Sequence, residues 1–384
     1  MMAGLLFARA GVSTLILEKH GDFLRDFRGD TVHPSTMEIL DQLGMLDRFL
    51  ERPHDKVDSI TARVAGQKIK MADTRFLKTP APFIAMMPQW EFLDFLRDEA
   101  AAFPAFSLRM NADVAGLSEQ RGRVMGVRMA DGEEIAAGNL VIMADGRKSP
   151  VRQMLPVKQL GAPMDVFWFR VPKLRTPDNR TGGVFEAGRI FVLIDRGDYW
   201  QCAYVFPKGA EAQVRADGIA AFREQLSESA PEIGPTDRVL TSLDQLSLLS
   251  VALDRLETWH RPGLLAIGDA AHAMSPIGGV GINLAIQDAV AAANILAGPI
   301  AAGRDVDSLL CKVEERRRFP TRVIQAAQKA AQDNIIGKLI ASNVRLERPP
   351  FVLRMFDRFP RLRRIPARLI GLGVRRERVT SPRA

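Results

Sequence analysis

Asp269, Gly278, Gly281 and Asn283 lie in the stretch of the chain best equipped for chemistry, Pro262 to Asn283, which reads PGLLAIGDAAHAMSPIGGVGIN. Leu264 to Ile267 is a short apolar run of the kind that forms a buried strand, and Gly268-Asp269 ends it. A loop holding Pro276, Gly278, Gly279 and Gly281 follows. From Asn283 the spacing of Leu284, Ala285, Ala289, Ala292 and Ile295 predicts a helix that stops at Gly298-Pro299. One carboxylate thus stands at a strand end, beside a glycine-lined path into a helix N-terminus. Bare glycines let backbone approach a planar ligand, and the free N–H groups of a first helical turn favour developing negative charge. A Gly-Asp pair alone is an ordinary turn. The full spacing, Gly-Asp-Ala-Ala-His, then Pro276, then Gly281-Ile282-Asn283, is far rarer by chance.

Two more acids follow apolar runs. Met1 to Ala10 reads as a helix ended by Gly11, with a strand from Val12 to Leu17 and then Glu18. Helix, glycine, strand and terminal acid make the second half of a dinucleotide-binding βαβ unit, where the acid accepts hydrogen bonds from the adenosine ribose. Gly4 is the small residue that lets the helix approach the sheet. No G-x-G-x-x-G precedes the helix, because the chain begins inside it. The expectation is therefore a chain truncated before that fingerprint, with retention of the dinucleotide weakened accordingly. The other acid is Asp145, which with Gly146 ends the apolar run Leu140 to Ala144.

These motifs resemble the flavoprotein aromatic hydroxylases, the para-hydroxybenzoate hydroxylase-like FAD monooxygenases, over about residues 1 to 300. The resemblance implies that Asp269 hydrogen-bonds the ribityl chain of FAD. It also implies that the backbone at Gly281, Ile282 and Asn283, reached through Pro276 and Gly278, faces the N1–C2=O edge of the flavin. It places Asp145-Gly146 near the pyrophosphate and the pyridine-nucleotide approach, and it assigns FAD contacts to Arg28 and Gln89. The implied reaction is reduction of FAD by NADH or NADPH, addition of O₂ at the flavin C4a, and hydroxyl transfer to an aromatic or similarly electron-rich substrate. A flavin-dependent reductase or halogenase of the same fold stays open, as does a non-catalytic fragment. No side chain stands out as an obligatory acid or base, and no metal-ligand spacing occurs.

Other elements must position these groups. Ser35 and Glu38 have the spacing of a capping box for a helix with Met37, Ile39, Leu40 and Leu43 on its apolar face. His33 lies just before it, where it can approach the flavin or simply sit in a loop. Gln89 opens a helix with Phe92, Leu93, Phe95 and Leu96, and residues 57 to 72 alternate as a hairpin. Between Pro163 and Ser250 the pattern becomes antiparallel strand: Val166–Val171, Val184–Ile194, Tyr199–Phe206 and Val239–Val251, with a turn at Asp195-Arg196-Gly197-Asp198. One face of Tyr199–Phe206 is expected to roof the flavin, which makes Trp200 and Tyr204 the candidate substrate contacts. The fold class is α/β: a Rossmann-like FAD-binding domain (1–160 with 252–300), an inserted antiparallel substrate domain (161–251) and a helical, arginine-rich C-terminal region (301–384).

Composition narrows the rest. At 384 residues, 47% of them hydrophobic, the chain can bury a large core. Cys202 and Cys311 are the only cysteines, so a disulfide framework is not on offer and a reducing, cytoplasmic compartment is expected. No run looks apolar enough to span a bilayer. The net charge of +8 is uneven: Ser342 to Ala384 carries twelve arginines and no lysine. A tail of one sign suggests an anionic surface, such as peripheral membrane contact, although a solvated helical face explains it too. Nothing points to nucleic acid; the expected partners are a small aromatic substrate and O₂.

Overall fold

The computed structural model describes residues 1–24, 30–173, 181–186, 189–341 and 348–384. Helix α1 (Met2–Arg9) buries Leu5, Leu6 and Phe7 and ends where Gly11 takes φ 78°, a conformation open to a residue without Cβ. Strand β1 (Thr14–Leu17) follows. A Cβ on Gly4 would lie 2.6 Å from Ile16 Cδ1, so this glycine sets the helix–strand distance. Strand β2 (Thr31–Val32) leads into α2 (Pro34–Gln42). The expected capping box does not form. The helix starts at Pro34 behind His33, and Glu38 pairs instead with Arg376 at 2.9 Å. Proline suits a first turn because its fixed φ is helical and its missing N–H would have been orphaned there.

Strands β3 (Ser59–Val64) and β4 (Gln67–Asp73) form the expected hairpin. Next come α3 (Gln89–Ala101), β5 (Phe106–Arg109) and β6 (Val141–Met143). β1 runs parallel to β5, with Thr14 opposite Phe106 and Leu17 opposite Arg109.

The inserted segment supplies β7 (Met164–Pro172), β8 (Gly182–Glu186), β9 (Arg189–Asp195), β10 (Tyr199–Pro207), α4 (Gly218–Ser229) and β11 (Ser247–Leu249). Its sheet has the order β11-β7-β10-β9-β8-β3-β4, so the 59–73 hairpin adds to this sheet, β3 lying parallel to β8. The strand read over Val239–Val251 shrinks to β11. Ser242 and Gln245 close a capping box that turns the chain at Leu243–Gln245. Helix α4 went unread, although Ile219, Phe222 and Leu226 have helical spacing. Phe222 and Leu226 pack on Phe169, Phe191, Trp200 and Tyr204, covering one face of the sheet. On the other face Val166, Ala203 and Val205 meet Ile277 of the glycine loop.

Strand β12 (Leu264–Ala266) lies parallel to β6, with Val141 opposite Leu264 and Met143 opposite Ala266. Among the described residues the pairs β1–β5 and β6–β12 share no strand. Then come α5 (Gly281–Ala301), α6 (Asp307–Ala331), α7 (Phe351–Arg358) and α8 (Arg364–Gly371). α5 passes through the expected stop at Gly298-Pro299. A proline in the last turn removes one hydrogen bond, and the burial of Val290, Ala293, Leu296 and Ala297 holds the helix together. Contrary to the sequence reading, Ile277–Ala301 is long and apolar enough by composition to cross a bilayer, but 72% of its most apolar stretch is buried inside the protein. It is a core helix, packed against α1 and α6.

The chain after α8 is a strap rather than a free tail. Arg376 pairs with Glu38, the Val379 N–H donates to Gln42 Oε1 at 2.8 Å, and the Ala384 N–H donates to the Arg9 carbonyl at 3.0 Å.

Candidate active site

Parallel pairing of β6 with β12 brings Asp145 and Asp269 to the same edge of the ladder, just beyond paired Met143 and Ala266. Both acids are exposed. Gly268 takes φ 59°, and a Cβ there would lie 2.9 Å from Ala285 Cβ, so the turn rests directly on α5. Asp269 Oδ1 lies 3.8 Å from the point a Cβ on Gly281 would occupy. The carboxylate therefore faces the first turn of α5, whose leading N–H groups have no intrahelical partner.

A buried charge network fixes this turn. Asp288, on α5, accepts from the Gly268 N–H at 3.0 Å, from His272 Nε2 at 2.7 Å and from Arg317 Nε at 2.8 Å. Asp288, His272 and Arg317 are all 0% exposed. Burial alone would raise the Asp288 carboxyl, but His272 and Arg317 outweigh it and hold the group below the usual carboxylate range. Arg317 continues to Glu377 at 3.2 Å and the Arg375 carbonyl at 3.1 Å, tying the strap to the turn. The sequence reading noted His272 only as part of the motif and missed Asp288. A lone aspartate inside the apolar run after Asn283 was the available signal.

Gly146 takes φ 84° after Asp145, and Ser149 accepts from the Arg152 N–H to start the next turn. Buried Arg152 pairs with Asp254 and donates from Nε to the Ala270 carbonyl at 2.9 Å, stapling the two acid-bearing turns together.

The glycine loop is held against β2. Pro276 starts the turn Ile277–Gly279, in which Gly278 and Gly279 take φ 77° and 61°. The Thr31 hydroxyl donates to the Gly279 carbonyl at 3.1 Å. Asn283 is buried, and its Oδ1 accepts from the His33 N–H at 3.0 Å and the Thr36 hydroxyl at 2.7 Å. Its side chain therefore joins α5 to α2 and is committed within the protein. His33 is 0% exposed and its Nδ1 lies 2.8 Å from the Ile370 carbonyl. Burial drives its imidazole down to about 4, against the pull of that carbonyl, so the neutral ring donates from Nδ1.

Glu18 follows β1, its N–H donating to the Arg109 carbonyl at 2.9 Å. Gln89 is the first residue of α3, and its backbone N–H donates to the Asp30 carboxylate. Asp30 is the residue that sequence reasoning passed over here. It pairs with Arg196 at 2.8 Å and accepts from Gln201 Nε2 at 2.5 Å, linking the start of β2 to the hairpin of the large sheet. Burial raises the Asp30 carboxyl, with Arg196 and Gln201 opposing. Arg28 lies outside the described residues.

Trp200 and Tyr204 are not brought to this site. They are 1% and 8% exposed and sit on the sheet face covered by α4. Side chains alternate along a strand, so the face toward Asp30 and the glycine loop belongs to Tyr199, Gln201, Ala203 and Val205. Both faces are apolar enough that the pattern alone could not choose between them.

These residues fit FAD. Bare backbone at Gly281, an exposed carboxylate opposite it and the N-terminus of a long helix are the donors and acceptors a ribityl chain and a flavin ring edge require.

Comparison with known proteins agrees. Residues 1–327 match the family model described as an FAD binding domain. The chain is 33% identical to 6-methylpretetramide 4-monooxygenase of Streptomyces rimosus over 83% of this chain and 77% of that protein. It is 30% identical to rifampicin monooxygenase of Streptomyces venezuelae over 75% of this chain, a match spanning 60% of that relative's length. In fold it is similar to PqsL, a probable FAD-dependent monooxygenase from Pseudomonas aeruginosa, with a TM-score of 0.73, 18% identity, and 88% and 94% of the two chains covered. The chain belongs to the FAD-binding family of flavoprotein monooxygenases, whose cofactor is FAD and whose usual reductant is NAD(P)H.

Proposed function

We propose that this chain hydroxylates an aromatic or similarly electron-rich small molecule, consuming O₂ and NAD(P)H and releasing NAD(P)⁺ and water. The observation that carries this reading is the exposed Asp269 carboxylate facing the glycine-lined entrance to α5. FAD, when bound, supplies the reduction of O₂ and the oxygen transfer; the protein contributes binding, orientation and exclusion of water.

In this reading Asp269 holds the ribityl hydroxyls, and the backbone at Gly281, Ile282 and Asn283 faces the pyrimidine edge of the ring. The α5 N-terminus stabilises negative charge there by about 0.3–2 kcal/mol. Glu18 holds the adenosine ribose, Asp145-Gly146 lies toward the pyrophosphate, and Gln89 with Asp30 closes the α3 side. Residues 1–160, apart from the 59–73 hairpin that joins the large sheet, and 252–300 form the cofactor unit, and the sheet face bearing Gln201, Ala203 and Val205 roofs the substrate. A peripheral contact of the C-terminal region with an anionic surface belongs to the same reading.

The test is turnover. Protein supplied with FAD, NADH or NADPH and a panel of phenols should show substrate-stimulated NAD(P)H oxidation, with one atom of ¹⁸O from ¹⁸O₂ in the product. Stimulated oxidation that yields only hydrogen peroxide across the panel, with no labelled product, overturns the hydroxylase reading.

A further inference from the structure

Helices α7 and α8 are docked on the protein by their inner faces. Leu353 and Phe356 pack against Val64 and Ile69 of the large sheet, and Leu369 and Ile370 pack against Val280 and Leu284. Their outer faces carry an unusual mixture. Phe351, Phe359 and Ile365 are 67%, 54% and 66% exposed. Between Phe351 and Gly371 there are six arginines and a single acid, Asp357. Exposed rings stand beside guanidinium groups: Arg354 lies 5.9 Å from the Phe351 ring, Arg358 lies 5.8 Å from Phe359, and Arg364 lies 4.3 Å from Phe76.

We propose that the outer face of α7 and α8 docks on an anionic lipid bilayer, with Phe351, Phe359 and Ile365 entering the headgroup–acyl boundary and Arg354, Arg358 and Arg364 meeting the lipid phosphates. The deduction localises the peripheral contact of the functional reading and rests on it. Charge complementarity selects an anionic partner, and interleaved apolar side chains distinguish a bilayer from a nucleic acid or a soluble acidic protein. An exposed isoleucine gains nothing from a phosphate backbone but gains transfer free energy from lipid. The strap beyond Gly373 is excluded, because Arg376 and Glu377 are engaged within the protein. α8 also spans from this surface to the site: Ile365 is outward, whereas the Ile370 carbonyl holds His33 and a Cβ on Gly278 would meet Ile370 at 3.6 Å. Docking on this face brings the glycine-loop side of the protein toward the membrane.

The test is co-sedimentation of the full chain with vesicles of phosphatidylcholine alone or mixed with phosphatidylglycerol. The expected result is binding to the mixed vesicles that weakens at high salt. Binding should fall on the order of tenfold or more in Phe351→Ser/Phe359→Ser/Ile365→Ser and in Arg354→Gln/Arg358→Gln/Arg364→Gln, with thermal stability unchanged in both. Binding by the native chain that survives both triple variants places the membrane contact elsewhere and overturns this assignment, while the functional reading stands. No binding by the native chain overturns the contact in both. Loss in the arginine variant only marks a general polyanion site. A concentration-dependent dimer abolished by the Phe/Ile variant, without vesicle binding, assigns the face to a second copy. Either result refutes the proposal.

Discussion

Asp288→Asn is the substitution from which the structure predicts most. The carboxylate takes three donors in a site without solvent: the Gly268 N–H and His272 Nε2 on one oxygen, and Arg317 Nε on the other. An asparagine offers one acceptor oxygen and one NH₂ group, so either Arg317 or the Gly268–His272 pair must face a donor. Removing one partner from a buried ion pair costs about 3–5 kcal/mol, because the other charge is left uncompensated. Urea denaturation should show a loss of that order. Flavin titration should show weakened binding as well, since Asp288 fixes the turn that carries Asp269. The double variant Asp288→Leu/Arg317→Met separates the two effects. Replacing a buried ion pair with apolar groups is close to neutral for stability, yet the Gly268 N–H still lacks its acceptor. Stability should recover only in part, because His272 also loses its acceptor and Glu377 loses Arg317 and keeps Arg316, and flavin affinity should not recover. A single Asp288→Asn variant within about 1 kcal/mol of the native protein, with unchanged flavin affinity, would refute the reasoning.

His33 is neutral in the fold at about 4, against an ordinary value of 6.5. The unfolded chain therefore binds more protons between those values, so stability rises with pH across that window and is lost as pH falls from 6.5 toward 4. By linkage the loss approaches ~3 kcal/mol, and His33→Gln should flatten that part of the stability–pH curve. Gly279→Ala forces a left-handed alanine whose Cβ lies 2.5 Å from Thr31 Oγ1. It should cost at least about 1–2 kcal/mol in thermal unfolding, with partial rescue by Thr31→Ala. Trp200→Ala should lower stability by about 3–5 kcal/mol in denaturation while leaving substrate preference unchanged. Gln201→Leu should do the opposite, shifting substrate-stimulated NAD(P)H oxidation more than stability.

The strand-and-turn half of the site was legible because its signals are local. A short apolar run, a Gly-Asp or Asp-Gly end and positive-φ glycines specify β6, β12 and the glycine loop from adjacent residues. What the sequence hid depends on long-range contacts. Ser35 and Glu38 have good capping spacing, but Pro34 and the distant Arg376 decide the outcome. Asp288 looks like a defect in an apolar helix until Arg317 and His272 are folded onto it. Trp200 and Gln201 alternate on one strand, and only the docking of α4 reveals which is core. The arginine-rich end read as a uniform tail, whereas the fold divides it into a strap and an outward-facing pair of helices.

The central claim is that Asp269 is a cofactor ligand and not a turn residue. It is tested most directly by titrating FAD into native protein and into Asp269→Ala, following flavin fluorescence, with far-UV circular dichroism as the fold control. A hydrogen bond to a charged group contributes roughly 1.5–3 kcal/mol, so the predicted rise in Kd is about 10- to 150-fold with the spectrum unchanged. An equal Kd for the two proteins would contradict the account.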